Sequence, residues 1–213
     1  MRNEPMGKMV DAAVDYLNGL IVIVQRHGNP DPIAPDRRST ERMLSIMRVL
    51  SSEGVQQAQD AAAKREELGY KPSILLASLG KCSADTISPL PCENDIPLLP
   101  ELSCMVTSKD EDLMNATFRK LGYVPLAEYD QLTGVGEALF RWSGVAVLAI
   151  ALAVAKEDPE PGDVVLIGCT PVLCSALALA LVSSSKDILQ LHQLDLGEAQ
   201  QIVIEEGHLK HVL

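Results

Sequence analysis

The segment from residue 21 to residue 28 constrains the fold of this chain more than any other. It reads Ile-Val-Ile-Val-Gln-Arg-His-Gly, a β-branched apolar run that ends in Arg26-His27-Gly28. A short continuous run of this kind is typical of a central strand that is buried on both faces of a parallel sheet. In open α/β sheets ligands bind beyond the carboxyl ends of the strands, so Arg26 and His27 lie where chemistry is expected.

The composition fits such a sheet and disfavours several classes of partner. The chain has 213 residues, of which 47% are hydrophobic and only 3% aromatic, so we expect a core of aliphatic side chains. A net charge of −11 at pH 7 repels the phosphates of a nucleic acid and an anionic membrane surface, and we expect neither partner. The apolar run from Trp142 to Ala155 is short and rich in alanine and glycine, which favours a buried helix over a membrane span.

The cysteines and the N-terminus predict a cytoplasmic protein with free thiols. No C-x-x-C pair occurs, so neither a disulfide framework nor a zinc site is expected from Cys82, Cys92, Cys104, Cys169 and Cys174. The first six residues contain no apolar stretch of a secretory signal. We interpret His208 and His211 as part of a solvated tail, because no third metal ligand accompanies them. No cofactor is implied.

Strands alternate with helices along the chain, which predicts a three-layer α/β/α sandwich around a mostly parallel central sheet. Strands are expected at 20–25, 73–77, 164–167 and 199–205, with a further short strand near Ile96. Helices are expected at 11–17, 39–49, 54–68, 83–87, 110–121, 136–156 and 171–182. Ser51 or Ser52 is the expected N-cap of the helix at 54–68.

Several motifs occur in a fixed order along this pattern. The strand with Arg26-His27-Gly28 is followed by Leu50-Ser-Ser-Glu-Gly54-Val-Gln-Gln-Ala58, which is similar to a helix start of the form L-T-x-x-G-x-x-Q-A. Residues 77–86, 99–101 and 162–172 come next. In this order the motifs resemble those of the histidine phosphatase superfamily, the phosphoglycerate-mutase-like fold. We therefore divide the chain into an N-terminal helical extension, 1–19, and a histidine-phosphatase-like domain, 20–213.

The resemblance implies a role for each site residue. His27 would attack phosphorus and become a phosphohistidine, Arg26 would hold phosphate oxygens, and Glu101 would protonate the leaving oxygen. The resemblance also implies a set of further ligand-binding positions, namely Gly28, Asn29, Lys81, Cys82, Cys169 and Thr170.

The chain departs from the family's pattern at three of these positions. The second active-site arginine falls on Cys82, the second histidine falls on Cys169, and Asn29 replaces a small residue. Lys81, next to Cys82, offers a point charge but not the planar fork of a guanidinium. Because the loss of one preorganised donor typically lowers a rate by about 10²–10³, we expect little or no turnover.

Three functional hypotheses follow, and the sequence leaves them open. The favoured one is a pseudoenzyme that binds an anionic, phosphate-bearing small molecule or a protein partner, or serves as a structural subunit, with homo-oligomerisation left open. The second is a divergent phosphatase that acts on phosphomonoesters through His27, with donors from Lys81, Asn29 and Thr170. The third is a thiol-based enzyme or redox sensor at Cys169, which lies between a strand and a helix. Purely structural roles for His27 and Cys169 and a solvated Glu101 also stay open.

Overall fold

The computed structural model describes residues 4–31, 48–88, 96–103, 105–194 and 201–213. Cys92, Cys104 and nearly all of the predicted helix at 39–49 lie outside the described residues. The strands are β1 (Ile21–Arg26), β2 (Ile74–Ala77), β3 (Val164–Cys169), β4 (Gln201–Glu205) and β5 (His208–Val212). The helices are α1 (Glu4–Leu17), α2 (Ser52–Glu67), α3 (Lys81–Ile87), α4 (Ser108–Leu121), α5 (Leu126–Asp130), α6 (Val135–Val154), α7 (Pro171–Leu181) and α8 (Ser185–His192), with 3₁₀ turns at Pro100–Leu102 and Ala155–Glu157.

The described strands form one sheet in the order β2-β3-β1-β4-β5. β2, β3 and β1 are parallel neighbours, whereas β4 runs antiparallel to both β1 and β5. All described strands except β4 therefore point in the same direction. This arrangement confirms the predicted α/β fold with a mostly parallel central sheet.

Helices cover both faces of the sheet, and β1 shows how its side chains are divided between them. Val22 and Val24 belong to the larger core, to which α1, α6 and α7 contribute. Ile23 belongs to a smaller core on the opposite face, where α3 lies against the sheet. Gln25 points to this second face and accepts a hydrogen bond from Arg65 of α2. A strand that is buried on both faces needs apolar residues at successive positions, which explains the continuous run in its sequence.

Helix α6 is the central helix of the larger core. By length and composition alone, Val135–Glu157 could cross a membrane. However, Trp142, Ala146 and Ile150, which are spaced by four residues, are completely buried, and the helix packs against α1 and α7. It thus occupies the place of a core helix of the α/β sandwich.

The structure corrects the interpretation of the C-terminus. His208 and His211 do not lie in a solvated tail, because both belong to β5, which pairs with β4 at the edge of the sheet. Glu206 and Gly207 connect the two strands with φ values of 50° and 70°, as in a two-residue hairpin turn. His208 Nδ1 lies 3.2 Å from a carboxylate oxygen of Asp187 in α8. The sequence analysis did not identify β5, because its polar residues, which suit an edge strand, leave no continuous apolar run.

Other differences concern the bounds of elements. α1 begins at Glu4 rather than at residue 11, and its Ala13 and Leu17 are buried in the larger core. The short helices α5 and α8 are additions to the predicted pattern. In place of a strand near Ile96, Leu98 forms an isolated bridge with Ala77 at the end of β2. The division of the chain at residue 19 stays a prediction.

Candidate functional site

The turn after β1 connects the ends of two strands and one helix. The backbone N–H of His27 donates to the carbonyl oxygen of Cys169, the last residue of β3, at 3.0 Å. The N–H of Gly28 donates to Thr86 Oγ1 at 2.9 Å, and this hydroxyl donates to the carbonyl oxygen of Cys82 at 2.6 Å. Arg26 is in register with Cys169 across the parallel pair β1–β3. These hydrogen bonds bring positions 26, 27, 82 and 169 together at the carboxyl edge of the sheet.

The start of α2 packs directly against this turn, backbone to backbone. A Cβ atom at Gly28 would clash with the carbonyl of Gly54, and a Cβ at Gly54 would clash with Asn29. Ser51 caps α2 by accepting from the N–H of Gly54 at 3.1 Å, and its hydroxyl donates to the Asn29 carbonyl at 2.8 Å. The cap predicted for this helix is therefore Ser51, and it also fixes the turn beside His27.

His27 is half-buried, and its surroundings define its tautomer. Nδ1 lies 2.9 Å from the carbonyl oxygen of Gly28. Because a carbonyl oxygen only accepts, Nδ1 carries the proton and Nε2 keeps its lone pair. Burial lowers the pKa of His27 below 6.5, and the charges of Arg26 and Arg48 lower it further. The neutral imidazole at pH 7 can thus offer Nε2 as a nucleophile.

Glu101 lies in the 3₁₀ turn that follows β2 along the chain. Its carbonyl oxygen accepts a hydrogen bond of 2.8 Å from Nε1 of the buried Trp142, so α6 holds the turn in place. The carbonyl oxygen of Leu102 accepts from Cys169 Sγ at 3.7 Å, which places this turn next to the end of β3. The Glu101 side chain is half-buried and has no hydrogen-bond partner among the described residues.

Solved structures with this arrangement of elements include a mycobacterial glucosyl-3-phosphoglycerate phosphatase with inorganic phosphate. The two chains are 20% identical with a TM-score of 0.57, and the match covers 90% of this chain and 96% of that one. A phosphoglycerate mutase from Bacillus anthracis matches at 12% identity and a TM-score of 0.50, over 91% of this chain and 92% of that one. The chain has the histidine phosphatase fold. No protein-family model and no curated protein matches the sequence.

Within the histidine phosphatase fold, two thiols occupy positions where the resemblance places an arginine and a histidine. Cys82 is buried, and burial raises the pKa of its thiol. Cys169 is completely inaccessible to solvent and interacts with Cys174 of α7 and with the carbonyl of Leu102. Burial, together with the neighbouring Cys169, raises the pKa of Cys174 well above its ordinary value. Cys82, Cys169 and Cys174 are all free thiols.

Two further predicted ligand residues have different surroundings. The Lys81 ammonium is exposed and forms an ion pair of 2.9 Å with Asp85, one turn further along α3. Thr170 is the N-cap of α7, and its hydroxyl makes no capping hydrogen bond. Thr170 directly follows Cys169, whose carbonyl oxygen accepts from the N–H of His27. Roles for Lys81 and Thr170 in ligand binding stay predictions.

The sequence interpretation missed one cation of this region. Arg48 donates from Nε and from Nη2 to the carbonyl oxygen of Asp31, at 2.9 and 2.6 Å. Its charge lowers the pKa of both His27 and Cys82. Arg48 lies two residues before the motif that begins at Leu50. This position next to a motif is the signal that could have identified Arg48.

Proposed function

We propose that this protein is a catalytically impaired histidine-phosphatase-like protein that binds a phosphate-bearing ligand at Arg26 and His27. It would act as a binding or structural subunit rather than through turnover. One observation carries the proposal: at the position of the second imidazole, the buried Cys169 thiol is directed to Leu102 and Cys174. A thiol is a weak hydrogen-bond donor and cannot supply the charge of an imidazolium to a transferring phosphoryl group.

The retained groups support binding of an anion. Arg26 offers the donors of a guanidinium, and Arg48 adds a second positive charge near His27. A phosphate held there would meet cations but would lack the donors at positions 82 and 169. Because each lost donor typically lowers a rate by about 10²–10³, the loss of two reduces turnover severely, although such losses are not additive.

One observation favours the alternative, a divergent phosphatase. His27 is neutral with Nε2 unprotonated, which is the form that attacks phosphorus. In that reaction Nε2 would bond to phosphorus, the ester oxygen would leave with a proton from Glu101, and water would then hydrolyse the phosphohistidine. Asn29, Lys81 and Thr170 would have to supply the missing donors.

The third hypothesis, a thiol enzyme or redox sensor at Cys169, finds little support. Cys169 is 0% exposed, whereas reactive cysteines are partly exposed in electropositive surroundings. A small residue that fills the volume of the lost imidazole explains its position better.

Two measurements test the proposed function. We expect inorganic phosphate to bind wild-type protein in calorimetry and to bind Arg26→Ala more weakly. We expect hydrolysis of p-nitrophenyl phosphate to be the same in wild type and His27→Ala, with no trapped phosphohistidine. The double variant Cys82→Arg/Cys169→His restores both lost groups, and a gain of His27-dependent turnover there would show that these two positions are the cause.

Either result can contradict the proposal. Wild-type turnover that is abolished in His27→Ala, at rates typical of enzymes of about 1–10³ s⁻¹, would establish the divergent phosphatase instead. If the wild-type protein does not bind phosphate, the proposed binding function is wrong.

We also propose a cytoplasmic location and an anionic small molecule or a protein as partner. The free thiols at 82, 169 and 174 support the location, since the cytoplasm keeps thiols reduced. The cations at 26 and 48, in a chain of net charge −11, support an anionic ligand at this one edge of the sheet.

A further inference from the structure

We propose that Arg48 is the second phosphate-binding guanidinium of this site and replaces the arginine that the chain lacks at position 82. This inference rests on the proposed function, since it concerns the anion that would bind at Arg26 and His27. The positive charge that the resemblance places at position 82 would then come from a different segment of the chain, the one directly before α2.

The backbone places Arg48 beside the turn of His27. Pro30 and Leu50 form an antiparallel bridge, and the N–H of Asp31 donates to the carbonyl of Val49 at 2.9 Å. The N–H of Ser51 donates to the carbonyl of Asn29, also at 2.9 Å. Residues 29–31 and 49–51 are therefore paired like two short strands, which holds the backbone next to Arg48 beside the turn that follows β1.

The contacts of the Arg48 guanidinium with the described residues orient it without neutralising its charge. Nε and Nη2 donate to the carbonyl of Asp31, and Nη2 also approaches the carbonyl of Pro30 at 3.4 Å. Nη1 donates to no described residue, and no carboxylate of the described chain forms an ion pair with Arg48. A guanidinium held by neutral carbonyls on one side keeps its charge and the donors of Nη1 for an anion.

Two neighbours locate the charge within the site. The positive charge of Arg48 acts on the His27 imidazole and on the Cys82 thiol, and it lowers the pKa of each. Its hydrogen bonds to the carbonyls of Pro30 and Asp31 place the guanidinium at the end of the turn that begins with His27, in agreement with these directions. By contrast, Lys81, the cation next to Cys82 in sequence, is engaged with Asp85.

The test is the affinity for inorganic phosphate, measured by calorimetry at constant ionic strength. We expect Arg48→Ala to weaken binding about 10- to 100-fold, the effect of losing a hydrogen bond to a charged group. Arg48→Lys keeps the charge without the fork and is expected to fall between wild type and Arg48→Ala. Arg119→Ala is the matched control. Arg119 is exposed on α4 and, within the described part of the chain, donates only to the carbonyl of Asn115, so the phosphate affinity of this variant should equal that of wild type.

A rescue experiment distinguishes phosphate binding by Arg48 from a purely structural role of Arg48 in the turn after β1. The double variant Arg48→Ala/Cys82→Arg has a guanidinium at position 82 but lacks the hydrogen bonds of Arg48 to the Asp31 carbonyl. We expect its phosphate affinity to recover. If Arg48 only stabilised the turn, the affinity would stay low. NMR titration of His27 is a second readout, which does not need the double variant. We expect the pKa of His27 to be raised in Arg48→Ala. In Arg48→Lys, which keeps the charge, it should stay near the wild-type value.

The outcomes are distinguishable. Phosphate binding that is weakened in Arg26→Ala but unchanged in Arg48→Ala would overturn the role of Arg48 and leave the proposed function intact. An unchanged pKa of His27 in Arg48→Ala would overturn the placement of the charge. Wild-type protein that binds no phosphate would overturn both proposals.

Discussion

Replacing Gly54 by alanine should destabilise the protein and loosen the turn beside His27. A Cβ atom at this position would clash with the carbonyl oxygen of Asn29 and would lie 2.9 Å from both the nitrogen and the carbonyl carbon of that residue. These are backbone atoms, which cannot rotate away as a side chain would. The turn itself must therefore move, together with its hydrogen bond to Ser51.

Two effects of opposite sign determine the magnitude. Alanine has a higher helix propensity than glycine, which favours the variant by at most about 1 kcal/mol. Overpacking typically costs about 1–3 kcal/mol, and loss of the Ser51 cap contributes about 1 kcal/mol more. The net expected loss in the free energy of unfolding is about 1–3 kcal/mol, which corresponds to a fall in Tm of roughly 2–12 °C for a chain of this size.

The assay is thermal and urea unfolding followed by circular dichroism, with Gly144→Ala as the matched control. Gly144 also lies inside a helix, α6, but an added Cβ would meet only Val10 Cγ2 at 3.5 Å, an ordinary van der Waals distance. In Gly144→Ala the higher helix propensity of alanine is the main effect, and we expect the free energy of unfolding to rise by about 0.5–1 kcal/mol. Wild-type stability in Gly54→Ala would refute the close backbone contact between α2 and the turn of His27.

Two further predictions concern His27 and Trp142. Because the pKa of His27 is lowered in the folded state, the unfolded chain binds more protons as pH falls below 7, so folding stability should decrease from pH 7.5 to pH 5.5. In His27→Gln this part of the pH dependence should disappear, and urea unfolding at both pH values measures it; an identical slope in the two proteins would contradict the lowered pKa. Trp142→Phe removes the hydrogen bond to the half-buried Glu101 carbonyl, which should lower the free energy of unfolding by about 1 kcal/mol, measured by urea unfolding. Unchanged stability would show that Trp142 does not anchor the turn of Glu101.

Local patterns in the sequence predicted the sheet and its flanking helices well. β1 and β3 are recognisable because strands buried on both faces are continuous aliphatic runs, and α2 is recognisable because a serine cap precedes residues with high helix propensity. β5 and α8 were missed for the opposite reason. Both are short and largely polar, and tertiary contacts, such as the pairing of β5 with β4, rather than local preference define them.

The candidate site was predictable only where its residues belong to a motif. Arg26, His27 and Gly28 follow a strand, and their place at the sheet edge is a consequence of the fold. Arg48 reaches the same turn through the bridge between Pro30 and Leu50, a contact across the chain that no local pattern indicates. The contact between Trp142 and Glu101 likewise joins residues separated by 41 positions.

The backbone around His27 tolerates changes of the side chains at this site. The turn of His27 is held by two of its backbone N–H groups, since His27 donates to the carbonyl of Cys169 and Gly28 donates to the Thr86 hydroxyl, and neither bond depends on the side chain at position 169. A buried thiol can therefore replace an imidazole without disturbing the strand pair. Catalysis is more sensitive, because it depends on donors directed at the phosphoryl oxygens. The proposed function, in which the fold and anion binding are kept without turnover, is consistent with differences confined to side chains such as those of Cys82 and Cys169.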